Sequence, residues 1–212
     1  MPVNAGFFDD AVFVGDSVTL KLSHYAEKRR GQGYECLGKA RFICAGSLGY
    51  TNALWDLNAK DNVHPRFNGV KYRVPDAVKV SGAKKAFVLF GMNDFMLYGI
   101  DSTVDSARKL IGEIVQKSPG IKIYVQSVTP IIRTRTGGKK THENVEILNG
   151  KLKALCAQMG WTYLDVASVL KDYDGSLKPE YCSDPEPPGL GIHFTDSACE
   201  KWISYLKANC GN

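Results

Sequence analysis

The chain has 212 residues, enough for one well-buried core and short for two ordinary domains, so residues 1–212 are expected to form a single domain. With 44% hydrophobic and 23% charged residues the composition is globular, and no apolar run approaches the ~18 residues a membrane span needs. The net charge of +5 is scattered rather than massed, which argues against a nucleic-acid surface.

The apolar run Ala11-Val12-Phe13-Val14 predicts a first strand, and Gly15-Asp16-Ser17 leads from it into a helix over 17–30. Such a junction lifts a hydroxyl above the sheet edge, which makes Ser17 a candidate nucleophile. Nothing ahead of that strand combines a basic n-region with an apolar h-region, so the address stays open: extracellular if a leader has been removed, otherwise cytoplasmic. A second strand is expected over 41–45, followed by Gly46-Ser47-Leu48-Gly49-Tyr50-Thr51. Residues 52–85 mix a short helical piece at 52–57, a loop through His64-Pro65 and a helix near 76–80. A third strand over 86–90 runs into Gly91-Met92-Asn93-Asp94.

The helix expected over 103–118 carries Val104, Leu110, Ile111, Ile114 and Val115 on one stripe, and a fourth strand follows over 121–126. The basic stretch 133–140 lacks interleaved aromatics and reads as a solvated loop, still available to hold an anionic substrate. Another amphipathic helix over 144–159 precedes the fifth strand at 161–166. The stretch 172–191, rich in Pro, Gly and acids, is expected near the catalytic edge, as is 52–85, each as a substrate-shaping loop. Gly191-Ile192-His193-Phe194-Thr195 then opens the last helix, 195–209, with Ser197 and Glu200 at capping-box spacing and Trp202, Tyr205 and Leu206 as its buried stripe.

Continuous apolar strands alternating with helices imply an α/β fold whose parallel sheet is covered on both faces. Ligands then bind beyond the carboxyl ends of the strands, where Ser17, Gly49 and Asn93 fall. The six cysteines show no C-x-x-C pair or His-rich spacing, so no metal is expected. Cys44 and Cys156 fall on apolar faces, while Cys182, Cys199 and Cys210 leave a disulfide open.

In order and context the segments around Ser17, Gly49, Asn93 and His193 resemble the four sequence blocks of the SGNH (GDSL) hydrolase family, from about Ala11 to Leu206. The resemblance implies a three-layer α/β/α sandwich with a five-stranded parallel sheet, the flavodoxin-like SGNH fold. It also implies a serine esterase with no metal or organic cofactor, an oxyanion hole of Ser17, Gly49 and Asn93, and ester substrates in the small-molecule or glycan class. A serine hydroxyl needs a base to take its proton, and His193, just ahead of the last helix, is placed for it. His24, His64 and His142 lack that context. An oxyanion needs donors aimed in advance, which the Asn93 amide and the N–H groups of Gly49 and Ser17 offer.

One position departs from the pattern. The family's usual Asp three residues before the histidine is Leu190 here, so Asp184 or Glu186 is expected to orient the imidazole from a lengthened loop, with a Ser-His dyad on a backbone carbonyl as the other arrangement. Ser47, in Ala45-Gly46-Ser47-Leu48-Gly49, is a rival nucleophile resembling the elbow of α/β-hydrolases. Asp16, Tyr50, Met92, Asp94 and Phe95 are expected to flank the substrate, the two acids chiefly by fixing the loops; Trp55, Met96 and Tyr98 lie nearby. The reading is an O-acyl esterase for short acyl groups, carbohydrate-linked ones first. Its competitors are a non-catalytic carbohydrate or cell-envelope binding protein, suggested by Leu190, and an acyltransferase with the same Ser-His machinery. A flavin or nucleotide binder finds no G-x-G-x-x-G after any strand.

Overall fold

The computed structural model describes residues 2–211. Its central sheet has five parallel strands: β1 (Ala11–Gly15), β2 (Arg41–Cys44), β3 (Lys85–Leu89), β4 (Lys122–Gln126) and β5 (Thr162–Leu164). They are ordered β2-β1-β3-β4-β5, the doubly wound order that reverses direction next to β1 and opens a crevice at that switch point. Six helices surround it: α1 (Ser17–Gly31), α2 (Val74–Ser81), α3 (Met92–Tyr98), α4 (Ile100–Lys117), α5 (His142–Met159) and α6 (Asp196–Asn209).

Alternation along the strands assigns the layers. Val12, Val14, Ile43, Ala86, Val88, Ile123 and Val125 point to one face, where the stripes of α2, α4 and α5 cover them. Ala11, Phe13, Phe87, Leu89 and Tyr124 point to the other, under α1 and α6. On that second face the register aligns Phe42, Phe13, Phe87 and Tyr124 across four neighbouring strands, and their rings stack with centroids 5.4, 4.8 and 4.5 Å apart. Trp202 of α6 is fully buried against this face and donates its Nε1–H to Gln126 Oε1 at 2.7 Å. That bond ties α6 to the end of β4.

The loops differ from expectation in three places. Asn93, expected after the third strand with no helix assigned there, sits on a short helix, α3. The 52–85 stretch contains a two-stranded hairpin, Arg66–Phe67 with Val70–Lys71, and only a 3₁₀ turn at Asn52–Leu54. The last helix is capped by Thr195, whose Oγ1 accepts from Ala198 N, and not by the Ser197–Glu200 pair; Glu200 instead accepts a bond from Tyr25 OH on α1. All six cysteines are free thiols, so no disulfide joins Cys182, Cys199 or Cys210. No helix among the described residues is long and apolar enough to cross a membrane.

Candidate active site

At the end of β1 the chain turns sharply, and Asp16 caps α1 by accepting from Val18 N at 2.9 Å. This cap fixes Ser17 as the first helical residue, its N–H without an intrahelical acceptor and its hydroxyl at the sheet edge. At the other end of the chain, α6 packs against α1 through a shared apolar cluster that includes Leu22, Tyr25, Cys199 and Trp202, and at its edge Asp196 takes both Lys21 (2.6 Å) and Lys28 (2.8 Å). His193, just ahead of α6, thereby reaches across α1. Its Nε2 lies 3.0 Å from Ser17 Oγ, and its Nδ1 lies 2.6 Å from Asp184 Oδ2.

Asp184 stands nine residues before the histidine, not three. Two main-chain bonds close the intervening loop: Ser183 N donates to His193 O (2.9 Å) and Thr195 N to Tyr181 O (3.0 Å). Within the closed loop, Leu190 N donates to Asp184 Oδ2, while Ile192 N and His193 N donate to Oδ1. Burial pushes this carboxyl's pKa up, but the imidazole bond and the backbone N–H groups outweigh it and hold it down at about 2. It is therefore a carboxylate at any ordinary pH, able to keep a proton on Nδ1 and leave Nε2 as the base. Glu186 is exposed and turned away, its recorded bond being a main-chain one to Gly189 N. Leu190 supplies an amide to the acid, not a side chain.

The opposite wall comes from the β2 and β3 loops. Asp94 is buried and accepts from Tyr50 N (2.9 Å) and Thr51 N (2.8 Å), which locks the β2 loop onto α3. Gly49 has to be glycine because a Cβ there would run into the Asp94 carboxylate. Asn93 donates one Nδ2 hydrogen to Leu48 O at 3.0 Å, and its amide has a second hydrogen to give. The Gly49 N–H, expected to be a third donor, is occupied in this structure by Asn52 Oδ1 at 2.8 Å. Asn52 also donates to Ser47 O, so it braces the loop at both ends. No sequence motif announces Asn52; only its position three residues after Gly49 brings it there.

Other expectations need correction. Tyr50, Met92 and Phe95 are 0%, 2% and 1% exposed and belong to the core. Asp16 and Asp94 are buried as well and, in keeping with the expectation that they fix the loops, accept from backbone N–H groups. Burial raises the Asp16 carboxyl to about 7, against the pull of its bond from Val18. The space beside Asn93 is a cavity of about 220 Å³ lined by Ser47, Asn52, Met96, Leu97 and Tyr98 among others. Ser47 is exposed with φ of +59° and makes no recorded hydrogen bond to a histidine, so no base serves it as His193 serves Ser17. No cluster of metal-ligating side chains occurs among the described residues.

A nucleophile elevated at a strand end, an imidazole on it and a carboxylate behind the imidazole, all at the switch point of a parallel sheet, define the class of serine hydrolases on a flavodoxin-like scaffold. A sequence model of the GDSL-like lipase/acylhydrolase family matches residues 13–200, and the chain belongs to that family of hydrolytic enzymes. No curated protein sequence matches it. Similar solved structures include a GDSL-like lipase from Bacteroides thetaiotaomicron (TM-score 0.65, 14% identity, 93% of this chain and 85% of that one). They also include a lipase/acylhydrolase from Enterococcus faecalis (0.62, 14%, 93% and 93%) and Est24, a carbohydrate acetylesterase from Sinorhizobium meliloti (0.57, 16%, 95% and 98%). At these identities the likeness is one of fold.

Proposed function

We propose that this hydrolase is a serine esterase that cleaves short-chain O-acyl esters, carbohydrate-linked ones among them, through an acyl-enzyme on Ser17. The observation that carries the reading is the unbroken chain Ser17 Oγ, His193 Nε2, His193 Nδ1, Asp184 Oδ2 at 3.0 and 2.6 Å. In acylation the Ser17 oxygen attacks the ester carbon as its proton passes to Nε2, and the tetrahedral oxyanion faces the Ser17 N–H and the free Asn93 hydrogen. The α1 N-terminus adds its partial positive charge there. Collapse expels the alcohol, which leaves with the proton from Nε2. Water then attacks the acyl carbon, its proton goes to Nε2, and release of the acid returns that proton to Ser17. Asp184 stays ionised throughout and balances the transient imidazolium.

The Asn93→Ala variant is expected to lose about 10²–10³ in kcat with a much smaller change in KM, since the donated bond matters most once the oxygen carries charge. Steady-state kinetics on p-nitrophenyl acetate check it.

The cavity beside Asn93 is small, about 220 Å³, which supports a short acyl group over a fatty chain. The carbohydrate acetylesterase on the same fold supports a carbohydrate-linked ester. A series of p-nitrophenyl esters from acetate to laurate, together with acetate release from acetylated oligosaccharides, tests the reading. Turnover falling at least about tenfold beyond butyrate agrees with it; preference for laurate, or no turnover of any ester, contradicts it.

A further inference from the structure

Most of the basic stretch 133–140 is exposed, as expected of a solvated loop, but Arg135 and Lys140 turn back onto the loop that carries Asp184. Three successive peptide units of the acid-bearing loop, 189–190, 190–191 and 191–192, each turn the N–H inward onto Asp184 and the carbonyl outward. Inward, Leu190 N and Ile192 N meet the two carboxylate oxygens at 2.8 and 3.1 Å, and Gly191 N meets the Asp184 main-chain oxygen at 3.1 Å. Outward, Arg135 Nη2 donates to Gly189 O (2.5 Å), Lys140 Nζ to Leu190 O (2.6 Å) and Ile132 N to Gly191 O (2.8 Å). Gly191, at φ +70°, is packed so closely on Ile132 and Arg135 that a Cβ would collide with both.

Arg135 and Lys140 have no carboxylate partner among the described residues, and Arg135 Nε is buried without an acceptor. A cation placed against a carbonyl in this way gives up solvation for neutral oxygens only. What it gains is polarisation: a carbonyl bonded to a cation makes the N–H of the same peptide a stronger donor. For Arg135 that N–H is Leu190's, which meets the same Asp184 oxygen that holds the imidazole.

Resting on the esterase reading above, we propose that Arg135 is a positioning residue, acting through the Gly189–Leu190 peptide to hold Asp184 in line with His193. The need for it follows from the nine-residue separation of acid and base, a span that cannot fix itself as a single turn can. Lys140 bears on the main chain of the same loop, since the N–H of its peptide goes to the Asp184 main-chain oxygen rather than to the carboxylate. Its weight in catalysis is accordingly smaller.

Arg135→Met, Arg135→Lys and Lys140→Met decide the matter. Misplacement remote from the chemistry can cost up to about 10²-fold, so Arg135→Met is expected to lower kcat about 10- to 100-fold on p-nitrophenyl acetate with KM within about threefold. Arg135→Lys, which retains a charged donor, restores most of that rate, and Lys140→Met stays within about threefold of the parent. Proton NMR of the folded variants gives a readout independent of turnover. The short Nδ1–H···Oδ2 bond of the parent predicts a resonance far downfield of the amides, moved upfield or lost in Arg135→Met and kept in Arg135→Lys. An unchanged resonance with kcat within twofold in Arg135→Met overturns the proposal, as does equal loss in Arg135→Lys or Lys140→Met. If the parent shows no ester turnover, the esterase reading fails, while the resonance still reports on the loop.

Discussion

Ser17→Ala is expected to lower kcat/KM for p-nitrophenyl acetate by at least about 10⁴-fold, while Ser47→Ala stays within about tenfold. Both serines sit at strand ends on the catalytic edge, and both occur in glycine-flanked turns, so sequence leaves them as rivals. The structure separates them by their partners: Ser17 has an imidazole nitrogen at 3.0 Å, whereas Ser47 offers its main-chain oxygen to Asn52 and lines the cavity. Alanine at 17 removes the attacking oxygen, leaving only what the donors and substrate binding contribute. Alanine at 47 alters a wall of the cavity, and its effect should be in KM more than in kcat. Steady-state kinetics of the two purified variants, with thermal unfolding as the check on folding, give the comparison.

Asp184→Asn carries the second large effect, a loss of about 10³–10⁴ in kcat, against a change of less than about twofold for Glu186→Gln. The imidazole tautomer decides the loss. An asparagine amide turned toward Nδ1 donates a hydrogen, which forces the imidazole to carry its own proton on Nε2, where it blocks removal of the Ser17 proton. The alternative flip points a carbonyl at Nδ1 but turns the amide hydrogens toward Ile192 N and His193 N, themselves donors. Neither arrangement works as the carboxylate does. Kinetics on the two variants distinguish the acids, and equal losses at 184 and 186 would contradict the geometry.

Much of the scaffold was legible because its signals are local. The five apolar runs fell on the five strands, and Ser17, Gly49 and Asn93 lie after the strands expected of them because glycine and capping residues mark strand ends. Asp184 and Glu186 could not be told apart in sequence. Their difference depends on a closure between 181–183 and 193–195 that swings one acid inward and leaves the other in solvent. Tyr50, Met92 and Phe95 look like their neighbours Met96, Leu97 and Tyr98 in sequence, and only the direction in which the backbone turns sends the first three into the core and the other three to the cavity. Arg135 and Lys140 reach carbonyls 54 and 50 residues away, and no pattern in a single chain foretells such contacts. Asn52 was hidden differently, as an ordinary polar residue in a turn.

In the proposed reaction one hydroxyl is made nucleophilic by one imidazole. The most direct measurement is reaction of the protein with a serine-directed fluorophosphonate, followed by intact-mass and peptide mass spectrometry. A single adduct mapped to Ser17, absent from Ser17→Ala and strongly slowed in Asp184→Asn, is the predicted result. No adduct on the folded protein, or an adduct on Ser47 with Ser17 unmodified, contradicts it.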